Sequence, residues 1–139
     1  MILLDTTVLV YAVGDDHPLR EPCRAVLGAH QEGRIVAATT VEVIQEFVHV
    51  RSRRRPRSDA AALAKRYAAG MPLLAPERTD LELGLDLYGR HSSVGAFDAV
   101  LVGVALNHGA EALVSADRTF STIAELRHLT PDELQAMLA

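Results

Sequence analysis

Short apolar runs alternate with longer segments whose apolar residues recur at helical spacing, a pattern that predicts an α/β chain with a parallel sheet. Met1 to Leu4 reads as a short buried strand. Thr7 to Val13 opens a first helix, and Leu19 to Gln31 forms a second after Pro18, with Gly33 just past its end. Ile35 to Ala38 is expected as the second strand. Val41 to Arg51 is expected as a helix with Val41, Ile44, Phe47 and Val48 on one face. Ser58 or Asp59 should cap the next helix, which runs to Ala69 before Gly70. Leu73 to Ala75 is a very short third strand, Thr79 to Arg90 a helix, and Asp98 to His108 another, ended by Gly109. Ala112 to Val114 and Leu126 to Leu129 supply the last two strands. Pro131 to Leu138 closes the chain as a helix, with Thr130 and Glu133 at capping-box spacing.

A length of 139 residues suits one domain spanning 1–139. No apolar run approaches the ~20 residues of a membrane span, and no basic leader precedes Asp5, so neither membrane association nor a secretory signal is expected. The single cysteine, Cys23, excludes an internal disulfide and a cysteine-based zinc site. It is expected to pack inside a helix, and such a chain fits a reducing cytosol. None of the six histidines has zinc-ligand spacing. The net charge of −4 gives no overall nucleic-acid signature, but five arginines crowd into Arg51-Ser52-Arg53-Arg54-Arg55-Pro56-Arg57. That segment is either a solvated loop between helices or a contact for phosphate or a partner.

Four acids change the picture: Asp5, Glu46, Asp98 and Asp117 each border an apolar segment where an element should begin or end. Ligands of open parallel sheets bind beyond the carboxyl ends of the strands, where strand order reverses. Asp5 follows the first strand and Asp117 follows the fourth, so the two would share a crevice if those strands are neighbours. Carboxylates gathered in an apolar setting repel and take up protons unless a cation sits among them. Each acid also has a plainer reading. Asp5 and Asp98 could cap helices, Asp117 could be a turn residue, and Glu46 could face water on the stripe Glu42, Gln45, Glu46, His49. That stripe leaves open which of the two glutamates would reach a metal.

Taken together, these motifs resemble the PIN-domain nucleases, and among them the VapC toxins of bacterial toxin–antitoxin pairs. Ile2-Leu3-Leu4-Asp5-Thr6-Thr7 is similar to the family's opening strand, aspartate and polar residue. Thr40-Val41-Glu42-Val43-Ile44-Gln45-Glu46-Phe47 is similar to the second motif, and that alignment selects Glu46 over Glu42. Phe97-Asp98-Ala99-Val100 resembles the third, and Leu113-Val114-Ser115-Ala116-Asp117-Arg118-Thr119 the fourth. Thr7 stands where the family more often has Ser or Asn and keeps a hydroxyl.

The resemblance implies a three-layer PIN-like fold with sheet order 3-2-1-4-5. It implies metal-binding acids at Asp5, Glu46, Asp98 and Asp117, with Thr7 and Ser115 orienting the acids or a bound water. It further implies Mg²⁺, with Mn²⁺ as substitute, an RNA substrate cut to 5′-phosphate and 3′-hydroxyl ends, a homodimer and a cognate antitoxin. Hard oxygen ligands suit these ions. Arg118 is expected at the surface. A haloacid-dehalogenase-like phosphatase would want a second acid at position 7, and a receiver domain a lysine after a late strand; neither is present. Two rivals stay within the same fold: an inactive module that only binds RNA or protein, and a stand-alone RNA-processing nuclease.

Overall fold

The computed structural model describes all residues from Met1 to Ala139. Five parallel strands, β1 (Ile2–Leu4), β2 (Ala37–Thr40), β3 (Leu73–Leu74), β4 (Ala112–Val114) and β5 (His128–Leu129), form a sheet of order β3-β2-β1-β4-β5. The order is the expected one. Helices α1 (Thr6–Ala12), α2 (Arg20–Gln31), α3 (Val41–Arg51), α4 (Arg57–Gly70), α5 (Arg78–Arg90), α6 (Ala96–Asn107) and α7 (Pro131–Leu138) flank it. Strand β1 is wholly buried and hydrogen-bonds to β2 on one side and β4 on the other. Its near-continuous apolar sequence fits a strand covered on both faces. No helix is long and apolar enough to cross a membrane.

The second strand lies two residues later than the apolar pattern suggested. The Ala29 carbonyl accepts from the Arg34 and Ile35 amides after Gly33 turns the chain at φ 73°, so residues 34–35 are held in the turn that closes α2. Pairing therefore runs from Ala37 into two buried threonines. Their hydroxyls are spent locally: Thr39 Oγ1 donates to the Leu4 carbonyl at 2.8 Å, and Thr40 Oγ1 accepts from the Val43 amide at 3.1 Å. The exposed face of α3 also differs, since Val43 and Phe47 are buried while Val41 is 40% exposed.

Helix α4 begins at Arg57 behind Pro56 rather than at a Ser58 or Asp59 cap, because the Asp59 carboxylate is taken by Arg51 Nε at 2.8 Å. Helix α6 begins at Ala96, two residues before Asp98, with Gly95 ahead of it. Strand β5 is shorter than expected, since the Leu126 amide bonds back to the Ile123 carbonyl after a 3₁₀ turn over Arg118–Thr122. The capping box of α7 is present as read. Cys23 is buried on α2, and burial pushes its thiol up to about 12, with the Asp132 charge adding to the shift, so it is an unreactive packing residue.

Helices α5 and α6 cross closely at Gly84 and Gly103. A Cβ at Gly103 would lie 2.6 Å from the Asp80 carbonyl oxygen, and one at Gly84 2.6 Å from Val100 Cα. Both obstacles are backbone and cannot swing aside. Asp80 is buried beside them, its carboxylate held by the Glu77 amide and Asn107 Nδ2, both at 2.9 Å. Gly103→Ala is therefore expected to destabilise the chain by about 1–3 kcal/mol through overpacking. Urea unfolding of both forms checks this; an unchanged midpoint would refute the tight crossing.

Candidate functional site

The site is built by the register of β1 against β4. Leu4 lies beside Val114, and the Asp5 amide donates to the Val114 carbonyl at 3.0 Å. The residues that follow, Asp5 and Ser115, therefore leave the sheet side by side at its carboxyl edge. Ser115 Oγ donates to Asp5 Oδ2 at 2.6 Å, and Thr7 Oγ1 donates to the same oxygen at 3.1 Å. The two hydroxyls lie 3.3 Å apart. Each also accepts a backbone amide across the strand ends: Ala116 to Thr7 Oγ1 and Asp117 to Ser115 Oγ, both at 3.0 Å. Asp5 is 3% exposed and sits at the N-terminal boundary of α1, yet its side chain makes no capping bond. One of its oxygens is oriented by hydroxyls and the other takes no hydrogen bond from the chain.

Asp117 does serve as the turn residue that its sequence allows. Its Oδ1 accepts from the Thr119 amide at 2.9 Å and from Thr119 Oγ1 at 2.8 Å, leaving Oδ2 free. Asp98 lies in the first turn of α6 without capping it, and Glu46 lies on α3; both are half-buried. Asp98 senses the other three acids. Burial pushes the Asp98 carboxyl up to about 6, and the charges of Asp5, Glu46 and Asp117 raise it further toward that value. No arginine or lysine pairs with any of the four. Arg118, adjacent in sequence, is exposed and reaches instead toward Glu133 at 3.9 Å.

The polar stripe on α3 divides. Glu46 lines a cleft with Thr7, whereas Glu42 lines an apolar groove with Phe97, Leu81 and Leu85 and buries one oxygen there without a partner. In this side-chain arrangement no three acidic, histidine or cysteine side chains are placed to clasp an ion by direct bonds alone. The donor set still fits a hard divalent ion, which keeps several waters and needs only one or two direct carboxylates. Sequence reading passed over two supports. Thr119 fixes the Asp117 carboxylate, and the Asp-Arg-Thr turn pattern was its signal. His128 Nε2 holds the Ser115 carbonyl at 2.9 Å while Ser121 engages its Nδ1 at 2.6 Å, an arrangement visible only once β5 is placed.

Residues 2–126 match the family model described as PIN domain. Over 95% of its length the chain is 49% identical to Ribonuclease VapC7 of Mycobacterium tuberculosis, covering 92% of that protein. This chain belongs to the PIN-domain family, among its VapC ribonucleases. A second relative, Ribonuclease VapC13 of the same organism, is 32% identical over 93% of the chain and 99% of its own length. The PIN fold is matched at TM-score 0.75 by VapBC2 from Rickettsia felis, solved bound to a promoter DNA fragment, at 18% identity over 94% of this chain and 98% of that one. It is matched at 0.73 by Mycobacterium tuberculosis VapC20, described as a Sarcin-Ricin loop cleaving toxin, at 18% identity over 91% of this chain and 99% of that one. In this PIN-domain chain the four acids thus lie at the carboxyl edge of β1 and β4 and on the helices beside it.

Proposed function

We propose that the chain is a Mg²⁺- or Mn²⁺-dependent endoribonuclease, the toxin of a toxin–antitoxin pair, that works as a homodimer in the cytoplasm. The observation that carries the reading is a group of four carboxylates with no basic partner, in which burial first and then the charges of Asp5, Glu46 and Asp117 push the Asp98 carboxyl up. Asp5 and Asp98 would hold the metal directly, and Glu46 and Asp117 would complete its shell, partly through water. A divalent ion held there would supply polarisation of a phosphoryl oxygen and a lowered pKa for a bound water. The chain's own part is orientation. Thr7 and Ser115 fix the Asp5 carboxylate, and Thr119 fixes that of Asp117, which leaves one oxygen of each carboxylate free for a ligand. Burial of Asp5 and Ser115 keeps competing water from loosening that array.

The antitoxin partner is supported by the VapBC complexes among the structural neighbours. Self-association would cover Leu81, Leu85 and Phe97, which are 47%, 50% and 38% exposed. Sedimentation of the full chain should give a dimer; a monomer at micromolar concentration would contradict that part. Cleavage of total RNA is expected with Mg²⁺ or Mn²⁺ and should stop with a chelator, resuming when excess metal returns. Cutting that persists in the chelator would rule out the metal assignment. RNA binding without cutting under every metal condition would favour the inactive binding module.

A further inference from the structure

A cleft of about 380 Å³ opens between α1 and α3 and joins the acid centre to the arginine segment. Thr7 and Glu46 line one end, Arg53 and Arg54 the other, and Val10 and Tyr11 the wall between. The arginines there are not equivalent. Arg51 is a structural anchor: its Nε is held by Asp59 at 2.8 Å, its Nη1 by the Val13 carbonyl at 2.9 Å, and its side chain is 15% exposed. Arg55 is spent on Asp15 at 3.3 Å. Arg53 meets only His49 Nε2, at 3.1 Å, and Arg54 makes no side-chain hydrogen bond or ion pair; both are exposed. Glu46 and Arg51 lie five positions apart on α3, about 7.5 Å at helical rise, and Arg53 and Arg54 follow in the turn beyond the helix end.

We infer that this cleft is a subsite for single-stranded RNA flanking the bond to be cut, with Arg53 and Arg54 holding a neighbouring phosphate each and the Val10–Tyr11 wall receiving a base. The inference rests on the RNA-cutting reading above. A ligand that fits must meet a cation-bearing acid end, an apolar and aromatic wall, and free guanidinium groups at the far end. A nucleic acid strand carries matching chemistry in that order: a reacting phosphate, a flat base, further phosphates. An acidic peptide would satisfy the arginines but carries no regular alternation of phosphates and flat bases to match the acid end and the Val10–Tyr11 wall together.

The test compares the native full chain with Arg53→Gln/Arg54→Gln and with Arg57→Gln, whose residue opens α4 outside the cleft. The probe is a short fluorescent single-stranded RNA of random sequence, with chelator present so that nothing is cut. The double variant should bind at least about tenfold more weakly at low salt. Its dependence of log affinity on log salt should be shallower by about 1.4, two phosphate contacts on a single strand. Arg57→Gln should change affinity less than about twofold. In a separate arm, Mn²⁺ should raise the thermal stability of native and double-variant chains alike. Failure of Mn²⁺ to stabilise the native chain would undo the metal reading without touching the binding comparison. The subsite is refuted by unchanged affinity and slope in a folded double variant, by an equal loss in Arg57→Gln, or by a loss confined to an acidic peptide while RNA binding holds.

Discussion

Replacing Asp98 by asparagine is expected to abolish RNA cleavage while stabilising the metal-free chain. The two effects share one cause. Asp98 is pushed up to about 6 by burial first, and then by the charges of Asp5, Glu46 and Asp117. An unfolded aspartate titrates near 3.9. Between these values the folded chain binds the Asp98 proton more tightly than the unfolded chain does. The stability contributed by the protonated carboxyl is therefore complete below about pH 4 and is lost as pH rises through about 6. The Asp98→Asn chain carries no charge at that position, so the stability difference in favour of the variant should grow across that window and level off above it. Parallel thermal melts with chelator would read it. Activity should fall on the order of 10³-fold or more, beyond the 10²–10³ lost with a single stabilising donor, because a direct metal ligand disappears. A variant that is less stable than the native chain at neutral pH without metal would mean that Asp98 does not sit in a repulsive group.

Ser115→Ala is expected to cost activity without removing a carboxylate. Ser115 Oγ donates to Asp5 Oδ2 at 2.6 Å and accepts the Asp117 amide at 3.0 Å, and it is fully buried. Its loss leaves Asp5 oriented by Thr7 alone and orphans a backbone amide, a stability cost of about 1–3 kcal/mol. Cleavage should drop by about 10–100-fold, the usual consequence of removing a group that orients a metal ligand. The Mg²⁺ concentration for half-maximal activity should rise with it, which a purely structural serine would not produce. Thr7→Ser, which keeps the second hydroxyl, should stay close to native in both measures. Equal metal requirements in native and Ser115→Ala chains would refute the orienting role.

Much of this was legible in the sequence because the site hangs on strand ends. An apolar run terminated by Asp5 and another by Ser115-Ala116-Asp117 mark the carboxyl edges of two strands, and order 3-2-1-4-5 makes them neighbours. The second strand was harder to locate. Apolar Ile35 belongs to the turn after α2 and Val36 only leads into the strand, its carbonyl accepting from the Ile2 amide, whereas Thr39 and Thr40 are buried because Leu4 and Val43 take up their hydroxyls. A polar residue that finds its partners inside carries no mark in the pattern. The choice between Glu42 and Glu46 could not be made from their common stripe either. It depends on which way α3 lies against α1, a tertiary fact, and only Glu46 faces the cleft beside Thr7. The arginine segment divided for the same reason: contacts with Asp59 and Asp15 separate structural arginines from free ones.

Calorimetric titration of Mn²⁺ into the metal-free full chain near neutral pH bears most directly on the site. Saturable binding should appear in the native chain and vanish in Asp5→Asn/Asp98→Asn, with the folded variant otherwise intact. Binding of equal strength in the double variant, or none in the native chain, would mean that these carboxylates do not gather a cation.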